Sequence, residues 1–260
     1  PGVRGALLLK GDSWVNPVAL GAALTEAFRR EGGRTYERER VTALTREGDR
    51  VTGVRTRSRR IAARSVVLAA GAWSARLAAP ELSPESIRPS RGQALLLEGR
   101  DAGGASLLQR AVTSPSVWAV PQNDGALWVG GSKEAPDLVA SLDAEPRAET
   151  TASILEAVER LLPGSAGGNL AGAGAGAGAH GPVLREARVG HPSRTEDGLP
   201  LLGPSAMLAG LFYSTGHFKT GIVLAPETAR MLAPLLLRGE RDPRLDPFGV
   251  ERLRPPSALP

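Results

Sequence analysis

The apolar positions of this chain change period several times, and each change marks an expected element. Leu20, Leu24, Ala27 and Phe28 fall four, three and one apart, on one face of a helix. Asn16-Pro17 opens that helix, because Asn caps free amides and Pro suits the first helical position. Gly32-Gly33 closes it. A short strand is expected before it, at 6–10. Strands follow at 34–39, 41–46 and 50–56, with Glu47-Gly48-Asp49 as the turn joining the last two, and Ile61-Ala62 completes this small sheet. The run Ser65-Val66-Val67-Leu68-Ala69 is apolar without alternation, which predicts a parallel strand buried on both faces. Ala70-Gly71-Ala72 then leaves the backbone open to close approach, and Trp73 starts a short helix.

From Ile87 the texture changes to alternation. Antiparallel strands are expected at 93–98, 116–121 and 127–130, the last two joined by Asn123-Asp124-Gly125. An amphipathic helix at 148–162 carries Ile154, Leu155, Val158, Leu161 and Leu162 on its apolar side. Further strands are expected at 183–189 and 211–214, and a long helix at 221–237 with Pro226 in its first turns. Residues 163–182 hold an alternating Gly/Ala repeat whose side chains never exceed a methyl group. It reads as a flexible insertion rather than a phosphate-cradling loop, since neither a P-loop lysine nor a following helix pattern is present.

Gly216 to Gly221 brackets the polar turn His217-Phe218-Lys219-Thr220, and an apolar helix follows directly. Such a turn aims backbone N–H groups and the positive end of a helix at one point, which suits an anionic or electron-rich ligand group. A glycine-kinked loop ahead of a packing helix is the plainer alternative.

Composition narrows these choices. At 260 residues the chain can bury a real core, in one or two domains. The net charge of +5 is spread along the chain. Arginines 55, 57, 59, 60 and 64 do cluster, but no aromatics interleave to stack bases, so a charged sheet edge is favoured over a nucleic-acid patch. With no cysteine there is no disulfide, thiolate site or cysteine nucleophile, and His180, His191 and His217 lack metal-site spacing. No uninterrupted apolar run reaches the ~18 residues of a membrane span. The first five residues are neither a leader nor a start methionine, so the chain is expected to begin inside a longer, cytoplasmic protein.

Six segments, in order, resemble the flavin-dependent D-amino-acid oxidase superfamily, closest to its glycine oxidase and sarcosine oxidase branch. They are Val15-Asn16-Pro17 with its helix, Val66 through Ser74, Arg91-Gly92-Gln93, Val120-Pro121 through Val129-Gly130-Gly131-Ser132, Thr195 through Gly203, and Gly216 through Pro226. The resemblance implies a mixed α/β fold. A partial Rossmann-like FAD-binding domain (1–86, resumed at 191–260) would flank an antiparallel-sheet substrate domain (87–190, with the Gly/Ala insertion). Those families begin with a strand and a Gly-x-Gly-x-x-Gly turn that holds the FAD pyrophosphate. This chain does not begin so, and is expected to lack that first βαβ unit, a segment on the order of a hundred residues.

The same resemblance implies the site. FAD would meet Val41, Ala70, Gly71, Ala72, Trp73, Gly216, His217, Phe218, Lys219, Thr220, Gly221, Ile222 and Val223. Lys219, Arg194, Trp118 and Lys133 would face a small amine or amino-acid substrate. Lys219 stands where the glycine oxidase pattern has an arginine, and Pro192 where a second arginine is usual, with Arg194 two positions on. No side chain is expected to act as a catalytic acid or base, because hydride transfer belongs to the flavin and dioxygen takes the electrons. A dehydrogenase passing electrons to a quinone or carrier, and a flavin-free remnant, are the alternatives. A homo-oligomer is compatible with either.

Overall fold

The structure, a computed structural model, describes residues 5–78, 80–98, 107–131, 144–162 and 183–253. In chain order the elements are α1 (Pro17–Arg30), β1 (Val41–Glu47), β2 (Arg50–Thr56), β3 (Arg60–Ala62), β4 (Val66–Leu68), a 3₁₀ turn (Gly71–Trp73), α2 (Ser74–Leu77), β5 (Ile87–Pro89) and β6 (Gly92–Glu98). Then come β7 (Val112–Thr113), β8 (Trp118–Pro121), β9 (Ala126–Gly130), α3 (Ala148–Leu161), β10 (Val183–Gly190), β11 (Ser193–Thr195), β12 (Leu201–Pro204), β13 (Leu211–Thr215) and α4 (Gly221–Arg238). The chain divides into two units: 1–16 with 91–191, and 17–90 with 192–260.

The first unit is one antiparallel sheet, ordered β10-β6-β9-β8-β7. Alternation along its strands sends Leu95, Leu97, Ala119, Leu127 and Val129 to one face, where they pack on Ile154, Leu155, Ala157 and Val158 of α3. Buried Gln93 fixes the start of that helix. Its Oε1 accepts from Arg147 N–H at 2.9 Å and its Nε2 donates to Thr151 Oγ1 at 2.6 Å. Fully buried Arg91 donates to the Glu145 carbonyl. The Arg91-Gly92-Gln93 segment is therefore an anchor for the approach to α3.

The second unit holds three small sheets: β1-β2-β3, β11-β5 and β12-β13-β4. In the last, β13 runs antiparallel to β12 and parallel to β4. Val51, Leu68, Ala75, Leu82, Ile87, Leu201, Leu211 and Tyr213 form its main core, and Met231 and Leu232 of α4 pack on Leu202 and Leu245. A buried carboxylate, Glu81, accepts from Tyr213 Oη at 2.7 Å, from Ala206 N–H at 2.6 Å and from Ser205. Burial, then the Glu81 contact, pushes the Tyr213 phenol far up, so it stays a donor. Arg252 closes the Thr195–Pro200 loop, donating to Asp197 at 2.6 Å and to the carbonyls of Leu199 and Pro200.

Three expectations are corrected. Residues 6–10 form no strand, because nothing among the described residues pairs with them. Residues 34–39 form a loop, broken at Arg38, whose φ of 60° no strand accommodates. The strand at 65–69 shortens to β4, and Val67 is 39% exposed, because among the described residues β4 pairs with β13 alone. The apolar face of α1 buries no residue. The sequence shows no long apolar run, yet Phe218–Arg238, at 21 residues and mean hydropathy 1.2, is long and apolar enough to cross a membrane. In this fold its second half packs on β12.

Candidate active site

Parallel strands deliver their C-terminal ends to the same sheet edge, where ligands of open α/β sheets bind. Here β4 and β13 are in parallel register, Leu211 opposite Val66 and Tyr213 opposite Leu68. Past that edge β4 runs through Ala69-Ala70 into the Gly71–Trp73 turn, and β13 runs through Gly216-His217 into a second 3₁₀ turn, Phe218–Thr220. The two turns are therefore neighbours.

Short hydroxyl side chains lock them together. Thr215 Oγ1 donates to the Gly71 carbonyl at 3.1 Å, and Ser74 Oγ lies 3.4 Å from Thr215 Oγ1. Ser193 on β11 accepts from Gly216 N–H at 3.2 Å, and Arg194 bridges His217 across the backbone. Gly216 has φ +77°, and a Cβ there would meet Thr195 Cγ2 at 2.8 Å, so this close approach admits glycine only. Phe218, a bulky residue, sits at φ 52°, which stores backbone strain in the turn.

The electrostatics of the edge are positive. Thr220, the N-cap of α4, makes no side-chain cap, and the positive end of the helix dipole lies at this edge. Lys219 and Arg194 are exposed, and neither has an acidic partner among the described residues; Lys219 Nζ lies 5.8 Å from the centre of the Phe218 ring. His217 Nε2 lies 3.3 Å from Thr228 Oγ1, and burial lowers the His217 pKa, so the ring is neutral at pH 7.

The sequence-derived residues fall in four places. Ala70 to Trp73 and Gly216 to Val223 come together at the strand ends, with Arg194 beside His217. Val41 opens β1 opposite Thr56, in another sheet of the same unit. Trp118 lies on β8 of the other unit. Lys133 lies outside the described residues. Sequence reading missed Ser74, Ser193, Thr195, Thr215 and Thr228. Isolated hydroxyl residues carry no motif; the available signal was the position of Ser193 and Thr195 on either side of Arg194.

Glycine turns and a helix start at parallel strand ends, with a separate antiparallel sheet, make a mixed α/β protein whose open strand ends are where such sheets bind ligands. A family model described as DAO, FAD dependent oxidoreductase, matches residues 1–235, and the chain belongs to that FAD-dependent family. It is 31% identical to the glycine oxidase of Pseudomonas aeruginosa over 95% of this chain and 61% of that protein. It is 28% identical to the hydrogen cyanide synthase subunit HcnC of the same species, over 98% of this chain and 56% of that one. The crystal structure of glycine oxidase from Geobacillus kaustophilus superposes with a TM-score of 0.75 at 28% identity, covering 90% of this chain and 57% of that one. The chain thus spans about three fifths of the glycine oxidases it matches.

Proposed function

We propose that this chain is the ring-contacting and substrate-contacting portion of an FAD-dependent oxidase of an amino acid or secondary amine. The observation that carries this reading is the pair of hydroxyl-locked turns at the ends of β4 and β13, beside two uncommitted cations, Arg194 and Lys219. When bound, FAD supplies the electron acceptor: hydride leaves the substrate α-carbon, water hydrolyses the resulting imine, and dioxygen is reduced to peroxide.

The chain's own groups serve the rest. The backbone amides of 216–223 and the open end of α4 stabilise negative charge at the ring. Lys219 and Arg194 offer the charge that holds a substrate carboxylate, and the Arg194 fork also fixes its plane. Neutral His217 donates no charge, and no side chain at this edge is needed as a base if the amine arrives deprotonated.

These residues fit one end of the cofactor only. Among the described residues no strand leads into a Gly-x-Gly-x-x-Gly turn, so none holds the pyrophosphate in the family's manner. The outer edge of β4, unpaired among the described residues, and the exposed stripe of α1 suit a docked βα layer that would carry such a turn. The 260-residue chain alone is therefore expected to take up little FAD, whereas a protein that also carries the βα layer binds it and forms peroxide when turning over amines in air. Visible absorbance during FAD titration tests this. Tight stoichiometric flavin on the chain alone would overturn the division of labour, and turnover without peroxide would favour a dehydrogenase.

A further inference from the structure

The β12-β13 hairpin has a second end, away from the Gly216 turn. There the connection 205–210 lies against the β1-β2 turn. Val51 N–H donates to the Ala209 carbonyl at 2.9 Å, and Ala209 N–H donates to the Asp49 carbonyl at 2.8 Å, so backbone bonds hold the two loops in place. With the end of α2 they frame a cavity of about 200 Å³, whose walls include Arg46, Asp49, Ala78, Glu81, Met207 and Leu208. All of these belong to the second unit.

Glu81 is the unusual wall. It is 2% exposed, and its three partners, the hydroxyls of Tyr213 and Ser205 and the Ala206 N–H, all donate to it. The Ser205 oxygen itself accepts from the Met207 and Leu208 amides at 3.1 and 2.9 Å, which leaves its proton for Glu81. The carboxylate therefore carries its charge, and it makes no ion pair among the described residues. Neutral donors offset part of the cost of taking a carboxylate out of water. A cation in the adjoining cavity would offset more.

Arg46 and Asp49 are exposed walls on the β1-β2 turn. They stand three residues apart, yet they do not pair with each other, and neither has another ionic partner among the described residues. The cavity thus presents two acidic groups and one basic group, with Ala78, Met207 and Leu208 as apolar surface. A simple amine would answer the acids but face Arg46, and a simple acid would face Glu81. A zwitterion answers both signs. The volume lies below the roughly 300–1,000 Å³ of pockets for drug-sized ligands, which suits an amino acid and is too small for a nucleotide.

We propose that this cavity is a second small-molecule site that binds an aliphatic α-amino acid, its ammonium towards Glu81 and Asp49 and its carboxylate towards the Arg46 fork. The site lies at the other end of β13 from the Gly216 turn, and it needs neither flavin nor the amine-oxidase reading.

The chain has two methionines. Met207 lines the cavity and Met231 is buried under α4, so methyl-labelled methionine gives one reporter and one internal control. L-Leucine is the probe. The same skeleton without the ammonium (4-methylpentanoate) and without the carboxylate (3-methylbutylamine) supplies the controls. Nuclear magnetic resonance of the 260-residue chain should show leucine moving the Met207 signal, and leaving Met231 in place, at concentrations where neither control moves it. Arg46→Gln should weaken leucine about tenfold, the loss of one charge-assisted pair. Asp49→Asn should weaken it about threefold, because its carboxylate is in water. Glu81→Gln keeps the size and drops the charge, and should weaken leucine at least as much as Arg46→Gln. If this buried replacement unfolds the chain, the two exposed variants decide. An equal response to leucine and either control, no response at all, or unaltered affinity in Arg46→Gln would each overturn the proposal. So would loss of the response in Arg194→Gln, which would move the ligand to the β4-β13 edge.

Discussion

Helices α1 and α3 have the same length, 14 residues, and each carries an apolar stripe at helical spacing. α3 buries Ile154, Leu155, Ala157 and Val158 under its sheet. α1 buries nothing, and Leu24 and Phe28 remain 59% and 52% exposed. Periodicity states what a helix face requires, and only a facing layer meets the requirement. In α3 the layer is β6 and β9, close in sequence and fixed by Gln93. For α1 no such layer exists among the described residues, and the edge of β4 in the same unit is equally open.

The sharpest way to break this contrast is truncation of one leucine in each helix. Leu155→Ala should cost about 2–5 kcal/mol, because it empties a closed core. Leu24→Ala should change stability by less than about 0.5 kcal/mol, because its side chain is already in water and Ala is a good helix former. Urea unfolding of both variants measures the difference. A Leu24→Ala cost comparable to that of Leu155→Ala would mean that the α1 stripe is packed in solution. If a βα layer is supplied, the Leu24 cost should rise towards the Leu155 value.

The same contrast explains what could be read in advance. The hairpin β8-β9 and helix α3 were legible because their partners are local and their turn, Asn123-Asp124-Gly125, has chemistry of its own. The paired turns at Gly71 and Gly216 were legible as glycine punctuation and as family wording. Their neighbourhood was not, since 144 residues separate Thr215 from Gly71 and only the β4-β13 register brings them together. Nor was the depth of burial legible. Val66-Val67-Leu68 spells a central strand, yet β4 is an edge strand among the described residues and Val67 is exposed, which no property of those residues encodes. Strands β11 and β5 are three residues each and too short to show a period at all.

Gly216 offers a smaller effect within the second unit. Gly216→Ala must hold a Cβ at φ +77° and push against Thr195 Cγ2, which should cost about 1–2 kcal/mol. The loss should appear as a lower thermal midpoint of the chain. If FAD contacts this turn, affinity in the flavin-binding protein should fall as well, while Gly48→Ala in the distant β1-β2 turn, also at positive φ, leaves flavin affinity intact. Equal affinity losses from the two variants would remove the 216–223 turn from the cofactor site.

The least effect, and the one most sensitive to what covers the second unit, is the titration of His217. Burial depresses its pKa below the ordinary value of 6.5, so between the folded and unfolded pKa values the unfolded chain binds more protons. Stability contributed by the neutral ring is complete above pH 6.5 and is lost as pH falls through the folded pKa. His217→Gln should flatten that part of the stability curve, read as thermal midpoints between pH 5 and 7. Ile222, Val223 and Leu224, exposed in the first turn of α4, begin five residues after the histidine. A layer laid over them would desolvate the ring further and move the loss to lower pH. An unchanged profile on adding the βα layer would place that layer away from the His217 turn, and would confine its contact to α1 and the β4 edge.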